Sequence, residues 1–130
     1  MKINKIKLVN EILKISEHDF EIAKYIKERN NISSSVVLFI SKKSINIKNE
    51  IRKTDISYEI KIEDIYFTVV ILMFTNENNS YKFCKKILKN NDINIGYDFL
   101  EISIDNRKLF NNLIEQIERD CNYFNDCEVY

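Results

Sequence analysis

Apolar and polar residues change their rhythm several times along this chain, and each rhythm predicts an element. Ile3, Ile6, Val9 and Leu13, then Phe20, Ala23 and Ile26, recur near helical spacing, so residues 3–29 are predicted helical. Ser16 followed by Asp19 resembles a capping box and predicts two helices with a break near Ser16. Asn30 and Asn31 form a natural stop. Ser33 to Ser35 then lead into Val36-Val37-Leu38-Phe39-Ile40, a β-branched run that predicts a buried strand. Residues 44–53 predict a short helix with Ile47 and Ile51 on one face.

The clearest period-two signal comes next. Ile56, Tyr58, Ile60 and Ile62 are apolar and Ser57, Glu59, Lys61 and Glu63 are polar, which predicts a half-buried antiparallel strand. Glu63 and Asp64 fall at the turn. Residues 65–74, apolar except for Thr68, predict a central strand covered on both faces. A polar loop at 76–79 precedes a helical stripe of Tyr81, Cys84, Ile87 and Leu88, with Lys82, Lys85, Lys86 and Lys89 outside it. Ile93, Ile95, Tyr97 and Phe99 alternate as a fourth strand. A last helix is predicted over 107–123, with Leu109, Phe110, Leu113, Ile114 and Ile117 inward. The order α, β, α, ββ, α, β, α predicts an α/β (α+β) fold: a mixed, largely antiparallel sheet of four or more strands with a central hairpin, flanked by helices. Residues 1–130 read as a single domain, with a helical segment over 1–30 and a core over 31–124.

Composition narrows the function classes. Apolar residues make up 45% and charged residues 31%, the profile of a globular chain. Acids and bases balance at 20 each, so the basic excess of a nucleic-acid binder is missing and no nucleic-acid partner is expected. Gly occurs once, at Gly96, which excludes a P-loop or a dinucleotide fingerprint, since both need several glycines. Cys84, Cys121 and Cys127 fit no zinc spacing and His18 is the only histidine, so the expectation is reduced thiols, with no metal and no cofactor. The longest apolar run, 69–74, is far too short to span a bilayer, and residues 1–10 lack the apolar run of a signal peptide. The expectation is a cytoplasmic protein without membrane insertion.

Candidate chemistry is sparse. His18 beside Asp19 could form half of an acid–base pair, but no nucleophile accompanies it and solvated surface is the simpler reading. The four lysines at 82, 85, 86 and 89 could meet phosphates, or be the wet face of an amphipathic helix. Tyr123, Phe124 and Tyr130 could pack on a partner or on the domain's own sheet.

The order of elements resembles the GGDEF domain of diguanylate cyclases over roughly residues 18–124. Asp55-Ile56-Ser57-Tyr58-Glu59-Ile60 leads into Lys61-Ile62-Glu63-Asp64-Ile65, which lies where the family has its Gly-Gly-Asp/Glu-Glu-Phe turn. Glu63 and Asp64 keep an acid there. The aliphatic run and Thr75 follow, then a helix, and Ile93-Asn94-Ile95-Gly96-Tyr97 looks like the family's late strand. The departures bear on catalysis. Lys61 and Ile62 replace the glycines that let the backbone approach phosphates. Leu38-Phe39-Ile40-Ser41 has no metal-binding carboxylate, and Glu63 and Asp64 alone hold metal poorly. The gap from Ile40 to Asp55 is too short for the family's base-recognising helices. The resemblance therefore implies a degenerate member without cyclase activity.

Arg52-Lys53-Thr54-Asp55 stands five residues before that turn, where the family often carries an Arg-x-x-Asp inhibitory site for cyclic di-GMP. The resemblance implies Arg52 and Asp55 as ligand-binding residues. Guanidinium can pair bidentately with phosphate or a guanine edge, and the carboxylate can accept from guanine N–H groups. The competing reading is a surface Arg–Asp pair at a helix-to-strand junction. The expectation is a non-catalytic signalling domain that binds cyclic di-GMP, a protein partner or a second copy of itself. The alternative is a ferredoxin-like structural or protein–protein interaction protein with no nucleotide ligand. An enzyme of unrelated chemistry would need a deep pocket with convergent polar groups.

Overall fold

The computed structural model of the chain describes residues 3–75, 77–90, 93–99 and 104–118. Helix α1, Lys5–Asn30, is continuous. Asn4 caps its start by accepting from the Lys7 N–H at 2.9 Å. Asn31 ends it at φ 54°, with its N–H on the Lys27 carbonyl. The break expected near Ser16 is absent: buried Ser16 donates to the Ile12 carbonyl at 2.5 Å, four residues back, inside an unbroken helix. The inward face carries Leu8 and Ile12 with Val9, Leu13, Phe20 and Ala23, whereas Ile6, expected inside, is 45% exposed.

Four strands follow: β1 Ser35–Ser41, β2 Ile56–Ile62, β3 Ile65–Leu72 and β4 Ile93–Phe99. They form one sheet in the order β2-β3-β1-β4, and every pair is antiparallel. The fold is thus the expected α+β one, and the sheet, expected to be largely antiparallel, is antiparallel at every pairing. The hairpin fills one half of it. β3 lies inside the sheet and is buried from Phe67 onward, while β2 lies at the edge and is only partly covered. Met73 and Phe74 lie past the end of the strand, and Phe74 turns to φ 56° with its ring 45% exposed.

The helix expected over 44–53 does not form; only a 3-10 turn, Ile47–Asn49, interrupts the crossover from β1 to β2. Ile45 and Ile47 are both buried. Residues two apart cannot share one face of a helix, so packing both on the sheet favours an extended path. The second crossover runs through α2, Glu77–Asn90, and the chain continues past β4 into α3, Asn106–Glu118. All five residues expected inward on α3 are buried. Its expected extension to 123 lies outside the described residues, as do Cys121, Tyr123, Phe124, Cys127 and Tyr130.

Alternation along the strands divides the core in two. Val36, Leu38, Ile40, Phe67, Val69 and Ile71 face α1 and α3, where Phe20 meets Phe110 edge to face at 5.2 Å. Val37, Phe39, Val70 and Leu72 face Cys84 and Ile87 of α2 and Ile45 and Ile47 of the crossover. The single glycine sits where α3 comes closest to the sheet. A Cβ at Gly96 would stand 2.5 Å from the Leu113 carbonyl oxygen.

Candidate functional site

Arg52 and Asp55 face each other across a tight turn at the end of the first crossover. The Asp55 N–H bonds the Arg52 carbonyl at 3.0 Å, and the Arg52 N–H bonds Asp55 Oδ2 at 2.9 Å. The side chains then close a fork: Arg52 Nε to Oδ2 at 3.0 Å and Nη2 to Oδ1 at 2.8 Å. Oδ1 also receives the Met73 N–H at 3.1 Å. Four donors therefore meet one carboxylate, which matches its acceptor capacity, and the Asp55 side chain is only 2% exposed.

The guanidinium reaches further. Nη2 also donates to the Met73 carbonyl at 2.6 Å and to Thr75 Oγ1 at 2.7 Å. The pair thus clasps the exit of β3, and further bonds tie that exit to the entry of β1. Thr75 N–H bonds the Ser33 carbonyl, Phe74 N–H bonds Ser34 Oγ, and Ser35 Oγ shares a 2.5 Å bond with Ser80 Oγ of α2. The hydrogen bonds that its guanidinium donates to the Asp55 carboxylate raise the Arg52 pKa above its ordinary value, so the group stays a cation. Among the described residues Nη1 makes no bond, and the Arg52 side chain is 54% exposed. The pair is therefore asymmetric: a buried, saturated acid and a half-exposed base with one free edge.

Arg52 also lines a cleft of about 250 Å³, together with Glu50, Asp55, Leu72, Thr75, Asn79 and Phe83. The Phe83 ring is partly buried and packs on Phe39 at 6.1 Å. Glu50 is held at 2.8 Å by Lys86 of α2. The cleft lies below the size range of ordinary small-molecule pockets and has room for one base or one phosphate.

The turn that resembles the family signature lies elsewhere. Lys61 and Ile62 end β2, Ile65 begins β3, and Glu63 and Asp64 form the exposed two-residue turn between them, with Glu63 at φ 58°. It closes the hairpin at the end remote from the clasp, about 20 Å away by strand length. Arg52 and Asp55 are thus brought together, and the acids of the turn are not brought to them. Among the described residues no three His, Cys, Asp or Glu side chains converge as a metal site.

The remaining candidates are scattered. His18 is exposed on α1. Lys82 and Lys85 are exposed, Lys85 lies over the Tyr81 ring at 5.1 Å, and Lys86 is engaged by Glu50. Cys84 is buried, and desolvation pushes its thiol up to about 12, so it is an unreactive core residue. The clasp's other members, Thr75, the Met73 backbone, Ser34, Ser35 and Ser80, were missed in the sequence. The polar Thr75 ending an apolar run and the three serines before β1 were the available signals.

No protein-family model matches the sequence, and no curated protein resembles it closely enough to count as a relative. Solved structures do match in fold. PelD 158-CT from Pseudomonas aeruginosa PAO1 is similar at a TM-score of 0.53 and 12% identity, over 85% of this chain and 45% of that one. PelD 156-455 from P. aeruginosa PA14, in complex with c-di-GMP, gives the same score and identity over 85% of this chain and 46% of that one. The chain therefore spans less than half the length of these neighbours, and at this identity the likeness is one of fold. No helix among the described residues is long and apolar enough to cross a membrane.

Proposed function

We propose that this chain is a non-catalytic, GGDEF-like signalling domain that receives cyclic di-GMP at Arg52. The observation that carries the reading is the clasp. Asp55 fixes the guanidinium and keeps it charged, while the Arg52 side chain stays half exposed and lines a cleft that also holds the Phe83 ring. A preorganised cation of this kind binds a phosphate or a guanine edge with little ordering cost. The site is altered from the sequence expectation in one respect. Asp55 has no lone pair to spare for a guanine, so its role is to hold Arg52, and Arg52 makes the contact. The small cleft seats one base or phosphate, and the rest of the dinucleotide lies across the surface. A similar fold bound to c-di-GMP supports the same reading.

Calorimetry with cyclic di-GMP tests it, using wild type, Arg52→Lys and Arg52→Ala, with GTP as the control ligand. The expected result is binding by wild type, weakened about tenfold or more in Arg52→Ala, the size of one lost charge-assisted contact. Arg52→Lys should fall between, because Lys keeps the charge and loses the fork. No heat with wild type would sink the receptor reading, and unchanged affinity in Arg52→Ala would remove Arg52 from the site.

A further inference from the structure

Strand β2 forms one edge of the sheet. Ile62 and Ile65 close a two-residue turn, so they form a hydrogen-bonded pair, and the bonds recur at every second residue. Ile56, Tyr58, Ile60 and Ile62 therefore spend their backbone groups on β3. Ser57, Glu59 and Lys61 point theirs outward, at an edge with no neighbouring strand among the described residues. Natural edges are usually blunted by proline, a bulge or charge. β2 has neither proline nor bulge, and its two outward charges, Glu59 and Lys61, are of opposite sign.

An antiparallel partner identical to β2 can meet this edge only in registers that set outward residues against each other. One register places Glu59 opposite Lys61 of the second copy, and Lys61 opposite its Glu59. The two adjacent registers place Glu59 on Glu59 or Lys61 on Lys61, which repel. The favoured register centres the two-fold axis on Ile60. It sets Ile60 against Ile60 and Tyr58 against Ile62 on the opposite face of the sheet. Ile60 and Ile62 are only partly buried in the single chain.

Helix α1 supplies a second surface, since Ile56, Ile60 and Ile62 of β2 pack against the core cluster that α1 helps to form. Leu13 and Phe20 mark the side of α1 turned to α3 and the core, with Phe20 on Phe110. Ile15 and Ile22 stand two residues further on, about 200° around the helix, on the flank away from α3. They are 40% and 42% exposed. We propose that two copies of this chain join β2 edges in this register, giving a continuous eight-stranded sheet with the two α1 flanks meeting above the junction. The proposal is independent of the nucleotide reading.

Charge reversal tests it, because Glu59 and Lys61 are both exposed and can change without touching the core. Glu59 accepts from Ser44 at 2.7 Å and Lys61 lies over the Tyr66 ring, both surface contacts of little weight. Sedimentation equilibrium should find wild type dimeric at micromolar concentration. Glu59→Lys and Lys61→Glu, each with like charges at both crossings, should dissociate about tenfold more readily or worse. An equimolar mixture of the two variants restores opposite charges at both crossings and should recover a heterodimer. A monomeric wild type, single variants as dimeric as wild type, or a mixture that stays monomeric would each overturn the proposal.

Discussion

Arg52 and Asp55 are one pair, and their environments make the two residues unequal. Asp55 is enclosed, and its four partners include two backbone N–H groups, those of Arg52 and Met73. Removing the carboxylate strands those donors in a place water reaches poorly, at a cost of about 1–3 kcal/mol for each buried group left unsatisfied. Removing Arg52 opens a path for water to the carboxylate, because the guanidinium is half exposed. Asp55→Ala should therefore destabilise by about 3 kcal/mol and Arg52→Ala by roughly half as much. Urea unfolding of both variants measures the difference. Equal losses would mean that the clasp acts as a plain ion pair, with no special weight on its buried half. The sequence showed the Arg-x-x-Asp spacing but not this asymmetry, because Asp55 is saturated by Met73, 18 residues away across the sheet.

Among the elements, periodicity revealed those whose pattern is local. Apolar and polar residues alternate in sequence along the whole of β2, the run at 36–40 lies within the fully buried β1, and α3 places all its apolar positions inward. The crossover at 44–53 misled because Ile47 and Ile51 are four apart, while burial also takes Ile45, whose spacing suits no helix. Ser16 misled in the opposite way: its hydroxyl satisfies itself on Ile12 and leaves the helix whole. Gly96 carried a signal that only packing explains. α3 lies so close to β4 that a Cβ there would meet backbone at Leu113, which cannot swing aside as a side chain can. Gly96→Ala should push α3 off the sheet and cost about 1–3 kcal/mol, the usual range for overpacking. Thermal unfolding of the variant measures it. An unchanged or raised melting temperature would show that α3 can retreat at no cost.

At the scale of the whole molecule, the sheet has a heavy face and a light one. Three large aromatic side chains, Phe20, Phe67 and Phe110, are fully buried between the sheet and the pair α1 and α3. Among the described residues the other face is covered by α2 and by a crossover with a single 3-10 turn. A smaller buried apolar cluster makes a unit that opens below the global free energy. The clasp, the Ser35–Ser80 bond and the Lys86–Glu50 pair are what tie this light face down. Native-state hydrogen exchange should therefore find the amides of Phe83, Cys84 and Ile87 opening at least about 2 kcal/mol below those of Val37 and Val69. One shared free energy for both sets would show a single cooperative unit and defeat the argument. The cleft beside Arg52 belongs to this light face through Leu72 and Phe83. A ligand held there adds its binding free energy to the weaker unit first, so cyclic di-GMP should raise protection on α2 while leaving the α1 and α3 amides unchanged. On the proposed receptor reading, that selective response would convert an occupied site into a mechanical difference for a partner to sense.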